Sequence, residues 1–408
     1  MNLLFAWRYF RAKKSTNAIN IIAWVSMSAI VVGTAALIVV LSVFNGFEDL
    51  VKSLYSSFYP DIRVGPVSGK TLTLTASQLA RLRAVPGVHA LSLVVQDRGI
   101  VENGDVRVPV YLKGVDSNFL RVSGVGGTID KGTFDVGDAD HPKAVLGSGI
   151  EYTLGVESDR QIMPLGVYLF RRTSGAFNVM DPMASFNHES VMSSGDFRIQ
   201  VDFDNNYVIT SMGFVKRMIG LGPDEYTAAE ISIDDPSAAP AIKTALAQVL
   251  GKGYLVQTRY EQNQSLYNTM GTEKWFTYIV LTLILIVAAF NMVGALTMLV
   301  WEKQKDIHVL KALGADGRLI RRIFLSEGFL LALIGGGGGI LLAVVICTLQ
   351  LKYKLVPLEG GSFLIDYYPV KMVGMDFLLV MATITVVAVL ASWIPARKAA
   401  ATPIELRT

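Results

Sequence analysis

Residues able to perform catalysis are scattered along this 408-residue chain and match no catalytic motif. Residues 65–71, G-P-V-S-G-K-T, come within one residue of the phosphate-binding pattern G-x-x-x-x-G-K-[ST], and we interpret them as a turn between strands. The histidines lack H-E-x-x-H spacing, the aspartates lack calcium-loop spacing, and G-x-S-x-G does not occur. The residues concerned are His89, His141, His188, His308, Asp135, Asp138 and Asp140. We therefore expect no catalytic site, metal or cofactor in this chain.

The composition is that of a membrane protein. Hydrophobic residues make up 51% of the chain and charged residues only 17%, whereas soluble domains average about 25% charged residues. The net charge of +3 is too small to indicate nucleic-acid binding. The single cysteine, Cys347, lies in an apolar run, so the sequence contains no disulfide framework.

Four apolar runs are long enough to cross a bilayer, since about 18 residues suffice. They cover 19–44, 276–301, 324–349 and 377–394. The first exceeds the apolar core of about 7–15 residues in a signal peptide, which favours an uncleaved anchor. The sequence thus predicts an integral membrane α-helical fold with four transmembrane helices. A large α+β extracytoplasmic domain is expected between the first two.

Lysine and arginine in the short flanks predict the orientation, because cytoplasmic loops are enriched in them. They are concentrated before the first run, between the second and third, and after the fourth, whereas the loop before the fourth run is balanced. Both termini are therefore expected in the cytoplasm and the large domain outside it. The predicted segments are 1–18 cytoplasmic, 19–45 span one, 46–273 outer domain, 274–301 span two, 302–323 cytoplasmic helix and loop, 324–350 span three, 351–376 outer loop, 377–394 span four and 395–408 tail.

Local signals within the outer domain predict helices and strands. Thr75 is a suitable N-cap for a helix through Ala84, and Asn103-Gly104 is a hairpin turn signal. The other predictions are strands over 88–101, 106–115 and 254–260, a helix over 236–250, an alternating segment over 197–203, and irregular structure over 173–194. We expect a division of the domain into two parts near 130–200.

The third span contains five consecutive glycines and a carboxylate. Gly335 and Gly339 have the G-x-x-x-G spacing that lets two helices approach closely. Glu327 is near enough to the predicted start of the span for its side chain to reach the interface. The sequence therefore predicts close helix packing and no acidic group deep in the membrane.

The segment between the second and third spans predicts a short amphipathic helix over 302–314. Ile307, Leu310 and Leu313 are expected on one face, with Gly314 as the C-terminal cap. Such a helix can dock into a groove on a partner protein or lie on lipid headgroups. Periodicity alone leaves both interpretations open.

Residues 301–315, W-E-K-Q-K-D-I-H-V-L-K-A-L-G-A, resemble the cytoplasmic element of FtsX-like permeases. Residues 394–400, I-P-A-R-K-A-A, with T-P-I-E at 402–405, resemble the tail of that family. Residues 41–48, L-S-V-F-N-G-F-E, and 287–291, V-A-A-F-N, are similar to the LolC/LolE subfamily of lipoprotein-releasing membrane subunits. The resemblance covers the topology of the whole chain and is specific at its two ends.

The resemblance implies a transport subunit that acts with a cytoplasmic ABC ATPase of the LolD type, which would bind ATP and Mg²⁺. It also implies a second copy or a sister membrane subunit, a lipoprotein substrate and a periplasmic carrier of the LolA type. The residues expected to couple this chain to the ATPase are Lys303, Asp306, Ile307, Leu310, Leu313 and Gly314.

Two further binding surfaces, one for lipid and one for the carrier, are predicted from the positions of residues in the sequence. Aromatic residues where the first two spans meet the outer leaflet are candidates for lipoprotein or lipid contact: Phe44, Phe47, Trp275 and Tyr278. The apolar segment 173–194 corresponds by position to the carrier-recruiting hook of LolC proteins. Its candidate docking residues are Phe177, Pro182 and Phe186.

Three other functions fit parts of the sequence. An FtsX-like subunit that signals to a cell-wall hydrolase has the same order of spans but a smaller outer domain. A MacB-type efflux permease carries its ATPase in the same chain. A sensor or scaffold would need no ATPase.

Overall fold

The computed structural model describes residues 17–160, 163–170, 186–358 and 365–401. Its α-helices, numbered in chain order, are α1 Asn17–Phe58, α2 Ala76–Arg83, α3 Phe119–Val122, α4 Ser148–Leu154, α5 Val201–Asp204, α6 Met212–Ile219, α7 Ala239–Leu250, α8 Arg259–Gln262, α9 Gln264–Glu302, α10 Gln304–Ala312, α11 Gly317–Tyr353 and α12 Gly374–Ala401. Its strands are β1 Ile62–Pro66, β2 Leu72–Thr73, β3 Val88–Asn103, β4 Val106–Val115, β5 Ile129–Gly132, β6 Lys143–Gly147, β7 Leu165–Phe170, β8 Phe186–Phe197, β9 Tyr207–Ser211, β10 Glu225–Tyr226, β11 Ala228–Ile233 and β12 Tyr254–Thr258.

Four helices of the described chain, α1, α9, α11 and α12, are long and apolar enough to cross a membrane, and we call them the first to fourth spans. The predicted fold class, four spans with a large α/β domain between the first two, is confirmed. Helices α1 and α9 extend past the predicted limits of the first two spans, 45 and 274. Hydropathy marks where a helix crosses the bilayer and does not show where the helix ends.

Glycines in the third span let it pack closely on its neighbours. A methyl group on Gly335 would lie 2.8 Å from the side chain of Ile30, and one on Gly339 would lie 2.6 Å from the carbonyl oxygen of Val31. The predicted close packing is therefore between the third and first spans. Glu327 is 2% exposed within α11, so its side chain is buried among its neighbours in the chain.

The remaining compact unit, centred on Val51–Tyr267, is built on a ten-stranded mixed sheet. Its strand order is β12-β1-β11-β3-β4-β9-β6-β8-β5, and β7 pairs with both β3 and β8. The pairs β4–β9 and β6–β8 are parallel, and the other pairs of this sheet are antiparallel. Strands from both sides of residues 130–200 share the sheet, so the expected division into two parts is wrong.

Most of the local predictions in this domain are confirmed. Strands β3 and β4 form the expected hairpin, and Thr75 and Gln78 form a reciprocal capping box at the start of α2. The near-match to a phosphate loop lies in the turn between β1 and β2. The alternating segment 197–203 is not a strand, because β8 ends at Phe197 and α5 begins at Val201.

A buried ion pair lies inside this domain. Lys113 Nζ is 2.8 Å from a carboxylate oxygen of Glu230 and 4.8 Å from the ring centre of Phe58, the last residue of α1. Burial lowers the pKa of the Lys113 ammonium group, and the Glu230 carboxylate acts in the opposite direction. Phe58 also stacks on Phe203, so the end of α1 is held among aromatic residues of the domain core.

Candidate functional site

The short helix α10, between the second and third spans, begins immediately after α9 and ends in a glycine cap. The N–H of Ala315 donates to the carbonyl of Leu310, and that of Gly314 donates to Lys311, both at 3.0 Å. Gly314 adopts a φ of +92°, which glycine reaches without steric cost. This pair of hydrogen bonds is the Schellman motif, and the capping role expected for Gly314 is therefore present.

The two faces of α10 have different environments. Ile307 is 2% exposed and belongs to the buried cluster that includes Ile320 and Ala399 of the third and fourth spans. Val309 and Leu313, one helical turn apart, are 59% and 80% exposed. Ile307 therefore holds the helix on the spans, and Val309 with Leu313 forms an exposed apolar surface.

Charged residues fix α10 and its surroundings. Lys311 Nζ donates a 3.0 Å hydrogen bond to the carbonyl oxygen of Ala400, near the end of the fourth span. Lys303 Nζ lies 3.4 Å from a carboxylate oxygen of Asp306. The guanidinium of Arg321 lies 5.4 Å from the ring centre of Trp393 and links the third span to the fourth. These contacts connect α10 and the third span to the fourth span.

A polar cluster of Asn45, Lys274 and Asp376 joins three spans, and we call it the interspan clamp. Asn45 of α1 donates from Nδ2 to a carboxylate oxygen of Asp376 at 2.5 Å. Lys274 of α9 donates from Nζ to Asn45 Oδ1 at 2.7 Å and lies 3.9 Å from the Asp376 carboxylate. Asn45 is buried, so each end of its amide is used in connecting one span to another.

Gly46, next to the clamp, lies against the segment that leads into the fourth span. A methyl group at Gly46 would lie 2.7 Å from the backbone nitrogen of Val370 and closer still to Pro369. The N–H of Lys371 donates to the carbonyl of Ser42 at 2.9 Å. The motif at 41–48 therefore has a structural role, since Asn45 and Gly46 connect the first span to its neighbours.

The four aromatic candidates for lipid contact lie in different surroundings. Trp275 is 59% exposed, whereas Tyr278 is half-buried, packs on the cluster of the spans and shares a hydrogen bond with Thr383 of the fourth span. Phe47 is half-buried, with its ring edge-on to Tyr368 at 5.7 Å. Phe44 is half-buried in α1. Among these four, Trp275 offers the most free surface.

Strands β7 and β8 form an antiparallel hairpin whose last pair is Phe170 with Phe186. Their rings meet edge-on at 5.8 Å. The expectation of irregular structure over 173–194 is wrong from Phe186 onward, because this part is strand β8. Phe177 and Pro182 lie outside the described residues.

Sequence patterns did not identify Val309 or the interspan clamp. Val309 could have been found from its i, i+4 spacing with Leu313. Asn45, Lys274 and Asp376 are far apart in the chain, and no local spacing connects them.

Comparisons with known proteins match both parts of the chain. The MacB-like periplasmic core domain matches residues 23–249, and the FtsX-like permease C-terminal region matches residues 278–404. The chain is 28% identical to the lipoprotein-releasing system transmembrane protein LolE of Haemophilus influenzae, over 97% of this chain and 96% of that protein. It is 27% identical to LolC of Neisseria meningitidis, over 98% and 97%. It is 26% identical to the pyoverdine export ATP-binding/permease protein PvdT of Pseudomonas syringae, over 97% of this chain but 57% of PvdT.

Proposed function

Because the chain belongs to the family with the MacB-like periplasmic core domain and carries the FtsX-like permease C-terminal region, we propose that it is the membrane subunit of a lipoprotein-releasing ABC transporter. The complex extracts lipoproteins from the outer leaflet of the inner membrane and passes them to a periplasmic carrier. The similarity to LolE and LolC over nearly their whole length carries this proposal.

The other functions have less support. PvdT is named as an ATP-binding/permease protein, and this chain matches little more than half of its length. A signalling subunit of the FtsX type would have a smaller outer domain than the ten-stranded domain found here. Lipoprotein release accounts for the large domain and for the full-length matches together.

The proposed partner at α10 is an ABC ATPase that binds ATP and Mg²⁺ in a separate chain. The exposed pair Val309 and Leu313 supports a docking contact, since apolar side chains that fill a partner's groove are typical of helix recognition. Lys311 and the buried Ile307 connect that contact to the spans. Nucleotide binding in the partner would displace α10, and α9, which is continuous from Gln264 to Glu302, would carry the displacement along the second span.

The proposed orientation places α10 and both termini in the cytoplasm. The basic flanks support it, because Lys303, Lys305, Arg318 and Arg322 surround α10, whereas Lys354 and Lys371 of the loop before α12 are balanced by acids. In this orientation the inner-membrane protein has its large domain in the periplasm.

Lipoprotein is proposed to enter beside the second span, where a second membrane subunit faces it. Phe276, Leu283 and Phe290 are largely exposed along α9, which supports an interface or lipid-access surface on this side. Photo-crosslinkers at Trp275 and Phe276 should capture lipoprotein acyl chains, whereas one at the inward-facing Tyr278 should capture few. Capture only from the third and fourth spans would place access elsewhere.

Mass spectrometry of the complex purified in mild detergent tests the proposed function. We expect an ABC ATPase, a second membrane subunit and bound triacylated lipoprotein. Co-purification of a cell-wall hydrolase without lipoprotein would instead support signalling. Absence of any ATPase would contradict the transporter.

A further inference from the structure

A cavity of about 380 Å³ lies between the first and third spans, near the C-terminal end of α11. Its wall includes Val39 and Val43 of α1, Cys347 and Gln350 of α11, and Val356 of the loop that follows. Residues 346–350 lie about 5 to 10 Å below the end of α11 at Tyr353, at 1.5 Å per residue. Because hydropathy predicts that the third span ends near 350, we expect the cavity at the depth of the upper acyl chains. It has the size of a small-ligand pocket, about 300 Å³ or more.

The wall of this cavity offers almost no hydrogen bonds to water. Its one amide side chain, Gln350, donates from Nε2 to the carbonyls of Val356 at 3.1 Å and Tyr368 at 3.2 Å. Its Oε1 accepts the N–H of Val356 at 2.9 Å. Water is stable in a buried space only where several polar partners are available, so an apolar occupant is favoured.

A sharp turn at the end of α11 completes the wall. Lys354 has a φ of +50°, which side chains other than glycine rarely adopt, and its N–H donates to the carbonyl of Gln350. The turn brings Leu355 and Val356 back over the cavity, and Leu355 remains 63% exposed. An acyl chain could thus enter from the bilayer beside Leu355.

Two lysines adjoin the cavity wall in the sequence, between its lining residues Gln350 and Leu355. Lys352 and Lys354 stand at the end of α11, with their ammonium groups 5.4 and 4.2 Å from the ring centres of Tyr353 and Tyr367. No acidic partner of these two lysines is found among the described residues, whereas Lys371 is paired with Asp49. Exposed lysines at a helix end attract anionic headgroups.

We propose that this cavity binds an acyl chain of an anionic phospholipid from the leaflet on the side of the large domain, with the phosphate at Lys352 and Lys354. The bound lipid would fill the gap between the first and third spans. The proposal requires that the four helices span the membrane, but it does not depend on lipoprotein release.

Photo-crosslinking of the whole complex in bilayers of known composition tests this site. A benzophenone amino acid at Leu355 should give adducts in which anionic phospholipid is enriched at least threefold over the bilayer. The same group at Leu341, exposed on α11 and remote from the cavity in sequence, should report the bilayer composition. Adducts at Leu355 that match the bilayer, or that contain lipoprotein or a second membrane subunit, would overturn the proposal.

Two variants make the test independent of folding. Val370→Trp, in the loop that lines the cavity, should lower the adduct yield at Leu355 at least fivefold and leave that at Leu341 unchanged. Lys354→Gln should preserve the yield and remove the anionic enrichment. An unchanged melting temperature of the purified protein shows that each variant is folded. If Val370→Trp does not assemble, the Lys354→Gln result decides, and unchanged enrichment in it would contradict the proposal.

Discussion

The ammonium group of Lys274 donates a 2.7 Å hydrogen bond to the side-chain oxygen of Asn45 and so joins the second span to the first. The side-chain nitrogen of Asn45 donates in turn to the carboxylate of Asp376 in the fourth span. Three helices are thereby linked at one level by groups that are far apart in the sequence. Motion of any one of these three helices relative to the others requires the clamp hydrogen bonds to shift or to break.

The interspan clamp predicts non-additive effects of mutation. Asn45→Ala and Lys274→Met should each lower stability by about 1–3 kcal/mol, because each leaves a buried polar partner unsatisfied. The loss of stability in the double variant should be smaller than the sum of the two single losses, by about 0.5–3 kcal/mol. Thermal denaturation of the purified complex measures this. Thr272→Ala on the same helix, whose hydroxyl bonds only to the carbonyl of Asn268 within α9, is the control. If the two single losses add up to the loss in the double variant, Asn45 and Lys274 do not stabilise each other and the clamp is contradicted.

The orientation predicts which positions react from outside the cell. In a Cys347→Ala background, cysteines at Ser77 and Ser237 should react with an impermeant thiol reagent after the outer envelope is permeabilised. Cysteines at Asp316 and at Thr402, which is outside the described residues, should react only after lysis. Both serines and Asp316 are exposed, so burial does not explain a difference. Labelling of a cysteine at position 316 from outside would show that the topology is the reverse of the one proposed.

Hydropathy and local capping signals predicted much of the fold. The four spans, the β3–β4 hairpin and the cap at Thr75 follow from residues close together in the chain. The pairing of β4 with β9 and the interspan clamp depend on contacts across about a hundred residues or more, and no periodicity reports them.

The candidate site was predictable in place but not in detail. The short helix α10 and its glycine cap follow from the sequence, but the buried and exposed faces depend on where the spans lie. Ile307 was expected with Leu313 on a partner face and is instead buried against the spans. Leu313 remains exposed and shares its surface with Val309.

The exposed face of α10 predicts the effect of charge on ATPase binding. Val309→Asp and Leu313→Asp should each weaken ATPase association at least tenfold, about 1.4 kcal/mol, because a carboxylate would be buried at an apolar contact. Lys303→Ala should change ATPase association less, because the ammonium group of Lys303 is paired with Asp306 of this chain. Val67→Asp, at an equally exposed valine of the large domain, is the control in the pull-down. Normal association of both α10 variants would exclude this face as the coupling surface.

The segment between β7 and β8 is the proposed docking site for a periplasmic carrier, because it corresponds by position to the hook of LolC proteins. Replacing 172–184 by a short Gly-Ser turn keeps strands β7 and β8 and should abolish carrier capture in a pull-down while leaving ATPase activity unchanged. Phe177→Glu should weaken capture, because a charge would replace an apolar anchor. Val106→Glu, at the tip of the β3–β4 hairpin, is the matched control. Undiminished capture by the shortened hairpin would place the carrier site elsewhere.

Release of lipoprotein from reconstituted vesicles tests the central claim most directly. The complex of this chain with its ATPase and second membrane subunit is placed in vesicles with a triacylated lipoprotein, and soluble carrier is added on the side of the large domain. We expect ATP, but not a non-hydrolysable analogue, to transfer lipoprotein to the carrier, and we expect Leu313→Asp to reduce that transfer. A complex that hydrolyses ATP normally yet leaves all lipoprotein in the vesicles would contradict the account.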